Sequence, residues 1–541
     1  MKSLKYLFLS AILVGFTACD SDDDADGSMP PEELPALTAG SANFSSYVSL
    51  GNSLTAGFTD NALFIAGQQN SFPNQLAQKF AMVGGGSFTQ PLMNDNLGGI
   101  AVGGNRILNP RLIFNGSGPA GIETVIGPVT VSTDLLVNNP SGPFNNMGVP
   151  GAKSFHLLFD GYGNLGNLNL GLANPYFIRM ASAPNATVLG DAMAQSPTFF
   201  TLWIGNNDVL GYALTGGDGT DPITPMEGPP GVGFAQTYGA LIQTLTSGGA
   251  QGVVANIPDV TSIPHFTTVP FNPLDPSNPD FGPQIPTLNA IFGALNQVYA
   301  AFGEPERSIV FNTDSASAVV IKDETLDDFS AQIAGALAPS PAFQAFVQSL
   351  GLPVEATPLV AGLLGQTYGK ARQATEDDLF VLPSSSVIGT VNTDAVAFLM
   401  SQGLPQALAG QFAIEGITLP LEDKWALIPS EQDEIATAIQ AFNNTIDGLR
   451  GQAGLGLVDA NSLLNNLAMG GIESDDFVLT SDLVLGGAFS LDGVHPNARG
   501  YALIANEFMK AIDATYGSNF EASGNLLDVG DFPTNYSPAL Q

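Results

Sequence analysis

One cysteine, Cys19, occurs in the whole chain of 541 residues. A single thiol excludes any internal disulfide framework. Cations are also scarce: 15 Lys and Arg stand against 50 Asp and Glu, for a formal charge of −35. That balance excludes nucleic-acid binding, which needs basic surface to replace counterions, and electrostatic adhesion to anionic lipid. Only three histidines occur, His156, His265 and His495. Without cysteine partners they give no metal-ligand spacing, and no cofactor is implied. The loop Thr215-Gly216-Gly217-Asp218-Gly219-Thr220-Asp221 lacks the pattern of a calcium site and reads as a surface turn. After the N-terminus no stretch is long and apolar enough to span a membrane. What is abundant is glycine (62), proline (38) and phenylalanine (34), with 44% apolar and 12% charged residues. Such a chain is globular and loop-rich rather than an acidic disordered one.

Residues 1–18 read as a secretory signal, with Lys2 and Lys5 before the short apolar run Tyr6 to Phe16. The run ends Phe16-Thr17-Ala18-Cys19, which resembles a bacterial lipobox. That resemblance implies that Cys19 is lipid-modified and anchors the protein stably to a membrane. Asp20-Ser21-Asp22-Asp23-Asp24 resembles the acidic export tag of surface lipoproteins. Together they imply an outer-membrane lipoprotein of a Gram-negative bacterium, exposed at the cell surface. Residues 19–40, acidic and Pro-rich, read as a tether.

From Phe44 onward, short apolar runs alternate with helix-like segments. Tyr47–Leu50, Thr198–Ile204, Gly252–Ile257 and Gly456–Asp459 read as strands buried on both faces, the signature of a parallel sheet. The spacing predicts helices from Glu431 to Leu449, with Ser430 as N-cap, and from about Pro496 to Tyr516. Strands alternating with helices predict an α/β fold, a three-layer sandwich with a parallel sheet. Two stretches exceed its needs. Residues 87–145 read as hairpins and loops, and 267–424 as Pro-dense loops with apolar helices. Both are read as insertions in a domain covering 41–541.

In such sheets chemistry gathers at the carboxyl ends of strands. There the sequence places Ser53, in Gly51-Asn52-Ser53-Leu54, and Asn207, in Gly205-Asn206-Asn207-Asp208. Near the C-terminus, Asp492-Gly493-Val494-His495 sets a carboxylate three residues before an imidazole. A serine hydroxyl becomes a nucleophile only when a base takes its proton and a carboxylate fixes the base's tautomer. With Asn146-Met147-Gly148-Val149-Pro150-Gly151-Ala152 between them, these blocks resemble, in order, the four blocks of the SGNH (GDSL) hydrolase superfamily. The resemblance implies a flavodoxin-like fold, with Ser53 as nucleophile, His495 as base and Asp492 as its orienting acid. It further implies an oxyanion hole from the Ser53 and Gly151 backbone N–H groups and the Asn207 amide. Asn52 departs from the family's aspartate, and the stretch between Asn207 and Asp492 is far longer than the family core requires. His156 and His265 lack an Asp three residues upstream and are expected to be structural or pocket-lining.

The expected activity is ester hydrolysis through an acyl-enzyme, on a substrate bearing an acyl chain, with carbohydrate esters a further option within the family. The competing expectation is a surface lipoprotein that binds a hydrophobic ligand or partners an outer-membrane barrel.

Overall fold

Five short segments pair into one sheet: β1 (Tyr47–Gly51), β2 (Asn146–Gly148), β3 (Phe199–Trp203), β4 (Gln251–Ala255) and β5 (Gly456–Val458). The computed structural model describes residues 33–541, so the signal segment, Cys19 and most of the tether lie outside the described residues. The strand order is β2-β1-β3-β4-β5, and every pair is parallel. β1 and β3 are buried along their whole length, which is why they read as unbroken apolar runs rather than alternating ones.

Alternation survives in which layer each side chain meets. Val48, Leu50, Phe200, Leu202 and Val254 face one helical layer. That layer holds α4 (Phe234–Thr246) and α5 (Pro429–Ala453), with α3 (Asn207–Leu214) joining it after β3. Tyr47, Phe199, Val253 and Val458 face the other, made of α2 (Phe72–Ala81) and α7 (Ala498–Tyr516). There the rings of Phe72 and Phe508 stack at 4.7 Å between centroids. The result is an α/β sandwich of three layers. α1 (Ser53–Ala56) is a single turn leaving β1, and α6 (Ala460–Met469) follows β5.

Helix ends differ from the sequence expectation for a local reason. α5 begins at Pro429, with the N-cap at Ile428 rather than Ser430, because proline is already shaped for the first helical turn. Glu431 reaches back to accept the Ile428 N–H at 2.8 Å. The helix runs past Leu449 to Ala453, and Gly454 beyond it takes the left-handed conformation at φ 67°. α7 starts at Ala498, capped by the Asn497 side chain on the Gly500 N–H. The strand β2 was not expected; its three residues lie inside the second sequence block.

The described end of the tether is docked rather than free. Asn519 accepts the Thr38 N–H and donates to the Ala36 carbonyl, and the Ser41 N–H bonds the Tyr516 carbonyl at 2.8 Å. Residues 87–145 contain two antiparallel hairpins, Ile100–Val102 with Asn105–Leu108 and Leu112–Phe114 with Pro119–Gly121. The 267–424 stretch encloses a hydrophobic core of its own, built around helices Ile285–Ala301, Ser330–Leu337 and Thr357–Tyr368. Phe329 and Phe343 sit inside that core, so they hold the insertion together. Arg307, buried, donates to the Asp327 and Gly369 carbonyls within it. Among the described residues no single helix is long and apolar enough to cross a membrane.

β2 packs tightly under α1. A Cβ on Gly148 would lie 2.3 Å from the Ala56 nitrogen and 2.7 Å from the Thr55 carbonyl carbon. Neither backbone atom can yield without moving the turn that carries Ser53. Gly148→Ala should therefore destabilise the protein by about 1–3 kcal/mol, as overpacking usually does. Gly118→Ala, where a Cβ meets nothing within 4 Å, is the control. Urea unfolding of both variants checks this, and equal midpoints would contradict it.

Candidate active site

The chain leaves β1 through Asn52, whose side-chain oxygen caps α1 by accepting the Leu54 N–H at 3.0 Å. Its amide donates to the Asn206 side chain at 3.1 Å, joining the turn of Ser53 to the turn after β3. Ser53 is the first residue of α1, so its N–H has no acceptor within the helix. Its hydroxyl lies 2.9 Å from His495 Nε2.

His495 is held from both sides. Its Nδ1 is 3.0 Å from Asp492 Oδ2, and the Phe58 ring packs against the imidazole at 4.6 Å. With the proton on Nδ1, Nε2 is left to accept from Ser53. Asp492 folds its own turn: Oδ1 accepts the Val494 and His495 N–H groups, both at 2.9 Å, as aspartate does in an Asx turn. Burial works against the charge on Asp492, but the His495 imidazole and these N–H donors outweigh it and hold the carboxyl well below its usual range.

Gly151 and Asn207 converge on a shared neighbour. Asn207 donates one amide hydrogen to the Ala152 carbonyl at 2.9 Å, leaving the second available. Gly151 takes φ 79°, and its N–H makes no hydrogen bond among the described residues. The Gly148 N–H, by contrast, is spent on the Asn146 side chain at 3.0 Å. Asp208, fully buried, accepts the Ser154 N–H at 2.7 Å and its hydroxyl at 2.6 Å, pinning the segment that carries Gly151 to the turn that carries Asn207. Burial pushes the Asp208 carboxyl up to about 6, against those two donors.

The other histidines have separate partners. His156 Nδ1 accepts the Lys153 N–H at 3.0 Å, and its ring stacks on Tyr162 at 4.5 Å. His265 donates its backbone N–H to the Gly493 carbonyl at 2.9 Å, so it braces the loop of Asp492 and His495 from outside. Burial lowers both imidazoles to about 4, leaving them neutral. Among the described residues no group of three His, Cys, Asp or Glu is placed to hold a metal ion.

Sequence reasoning missed Asp60 and Asn61. They are the two central residues of a turn closed by reciprocal Thr59 and Ala62 backbone bonds, at φ 50° and 62°, a conformation that Asp and Asn tolerate better than other side chains. The turn presents the Asn61 N–H to Asp492 Oδ2 at 2.8 Å. Asp60 itself takes the Leu491 N–H at 3.1 Å and gives its own N–H to the Ser490 hydroxyl. The available signal was Thr59-Asp60-Asn61-Ala62, a polar pair with turn propensity.

Compared with protein-family models, with curated proteins and with solved structures, the chain matches nothing.

Asp60 is 1% exposed, and burial, with the nearby Asp492 charge, pushes its carboxyl up to about 7 despite the Leu491 N–H and Arg111. A carboxyl raised in the fold favours the folded state while protonated. That contribution is complete below its ordinary value of about 4 and is lost as pH rises through 7. Asp60→Asn keeps the acceptor for Leu491 and removes the titration. Its stability relative to wild type should therefore improve between pH 5 and pH 8, read as the difference in urea midpoints. An unchanged difference across that range would contradict this assignment.

Proposed function

We propose that the chain is a serine ester hydrolase of the SGNH type, acting through an acyl-enzyme. The observation that carries this reading is the unbroken line from Ser53 Oγ through His495 to Asp492, at 2.9 and 3.0 Å. The β2-β1-β3-β4-β5 order supports it, since that is the flavodoxin-like order with ligands taken at the carboxyl ends of the strands.

His495 accepts the Ser53 proton as Oγ attacks the ester carbonyl. The oxyanion then forms facing the Ser53 and Gly151 N–H groups and the second Asn207 amide hydrogen. A donor of this kind contributes about 3–4 kcal/mol in the transition state. The protonated imidazole, steadied by Asp492, delivers its proton to the departing alcohol oxygen and then takes one from water to release the acid.

An apolar groove of about 80 Å³ supports an acyl-bearing substrate by taking the first few carbons of its chain. Leu54, next to the nucleophile, and Val494 and Pro496, on either side of His495, form its near wall. Leu463, Leu467 and Leu503 continue it between α6 and α7. A lipoprotein that only binds a hydrophobic ligand would use the same groove. It would have no use for Ser53, His495 and Asp492 in hydrogen-bonded line.

Ser53→Ala should abolish hydrolysis of an aryl ester with the fold intact. Removal of a triad nucleophile costs on the order of 10⁶ in kcat in a well-studied serine protease. Stopped assays on the purified variant, beside its circular dichroism spectrum, check this. Turnover near that of the wild type would overturn the reading.

We further propose that Cys19 carries the acyl anchor, so that the enzyme works at a membrane surface. Cys19→Ser should move the protein to the soluble fraction or leave it unprocessed. An intact mass showing cleavage elsewhere and an unmodified N-terminus would refute it.

A further inference from the structure

We propose, resting on the hydrolase reading above, that Asn174 is a positioning residue for the oxyanion hole. It lies outside all four sequence blocks. It holds the Pro150–Gly151 peptide in the orientation that aims the Gly151 N–H at the reacting carbonyl.

Val149-Pro150-Gly151-Ala152 is a β-turn, closed by the Ala152 N–H on the Val149 carbonyl at 3.0 Å. Gly151, its third residue, takes φ 79°. Type II and type I′ turns have a positive φ there, and type I′ also needs one at the second residue. Proline, with φ held at about −65°, rules that out, so the turn is type II. Type I differs from type II by a flip of the central peptide through about half a turn. Pro150 suits the second place of either type, and glycine adopts either sign of φ at little cost. These two residues alone therefore leave their shared peptide free to turn over. Its carbonyl and its N–H point in opposite directions, so a flip would carry the Gly151 N–H away from its place in the oxyanion hole.

The flanking peptides are tied down in a way that does not decide between the two. The Val149 N–H bonds the Gly51 carbonyl at 3.0 Å, at the end of β1. The Ala152 carbonyl takes the Asn207 amide at 2.9 Å. The Pro150 carbonyl is the group that decides, and Asn174 Nδ2 donates to it at 2.7 Å. A flip breaks that bond. While it stands, it polarises the peptide and makes the Gly151 N–H a stronger donor.

Asn174 is itself fixed. Its Nδ2 also donates to the hydroxyl of the buried Tyr162 at 3.0 Å, and its backbone N–H bonds the Tyr162 carbonyl at 2.9 Å. Its Oδ1 caps the short helix Pro175–Ile178 by accepting the Tyr176 N–H at 2.9 Å. Exchanging the amide oxygen and nitrogen would set oxygen against the Pro150 carbonyl and N–H against the Tyr176 N–H, so the network fixes the amide's direction. Capping alone does not call for asparagine. Ser, Thr and Asp cap as well, but none brings an N–H to Pro150 while it caps.

Asn174→Asp and Asn174→Ser keep the cap and lose the N–H, whereas Asn174→Ala loses both. In all three, kcat/KM for an aryl ester should fall by about tenfold to hundredfold. That is less than the roughly 10²–10³ in kcat that outright loss of an oxyanion donor costs, because the peptide is biased rather than removed. The urea midpoint of Asn174→Asp should stay near the wild-type value. A trifluoromethyl ketone forms a tetrahedral adduct on Ser53 with its oxygen in the hole. Its inhibition constant should weaken by the same factor as kcat/KM. The matching secondary alcohol cannot add Ser53 and should bind all forms alike. Wild-type kcat/KM in Asn174→Asp and Asn174→Ser would assign the residue to capping and overturn the proposal. Equal weakening of ketone and alcohol, the mark of general damage to the site, would overturn it too. If wild type hydrolyses no ester, the hydrolase reading fails, and a crystal structure of Asn174→Asp decides whether residue 174 sets the peptide. A Pro150 carbonyl turned over, with Gly151 at negative φ, supports the positioning role. Gly151 still near φ 79° overturns it.

Discussion

A buried carboxylate needs partners for its oxygens, and Asp492 finds four. Oδ1 takes the Val494 and His495 N–H groups, and Oδ2 takes the Asn61 N–H and His495 Nδ1. Isolated in an apolar setting, such a charge would neutralise rather than persist. Here the partners come from two distant parts of the chain, so satisfying this one group joins the turn after β1 to the loop before α7. That junction also holds the imidazole with Nε2 2.9 Å from the Ser53 hydroxyl. Removing one partner from a buried charge costs far more than the pair is worth in isolation, so the arrangement is stiff.

The sheet supplies the rest of the alignment. β1, β2 and β3 are adjacent and parallel, so their carboxyl ends deliver Ser53, Gly151 and Asn207 to one edge. Side chains between the turns then set the spacing: Asn52 on Asn206, Asn207 on Ala152, Asp208 on Ser154. Each is a contact between segments that bear site residues. Preorganised donors of this kind need no reorganisation as charge develops. The insertion, by contrast, carries its own core, and its Leu382 lies beside Gly493.

Elements whose signal is local were legible in the sequence. Unbroken apolar runs revealed four strands, and the Asp492-Gly493-Val494-His495 spacing carries its own Asx turn. β2 escaped notice because Asn146-Met147-Gly148 is too short and too polar to show a strand period. It pairs through the β1 backbone and through Asn146, whose amide bonds the Thr55 carbonyl at 3.0 Å. Asp60 and Asn61 escaped because their role depends on Asp492, more than 400 positions away. The end of the tether was read as free chain. Its docking depends on Asn519 and Tyr516, which no local pattern announces. The separate core of the insertion is not legible in the sequence. Helices Ile285–Ala301, Ser330–Leu337 and Thr357–Tyr368 carry no charged side chain, so their sequences do not say which neighbour they bury against.

The central claim is that Ser53, His495, Gly151 and Asn207 form one reacting centre. The most direct measurement is a crystal structure of the protein after reaction with a small organophosphate. The account predicts a covalent bond from Ser53 Oγ to phosphorus. It also predicts the phosphoryl oxygen within hydrogen-bond distance of the Ser53 and Gly151 nitrogens and Asn207 Nδ2. Phosphorus on another residue, or a phosphoryl oxygen turned away from all three donors, would contradict it.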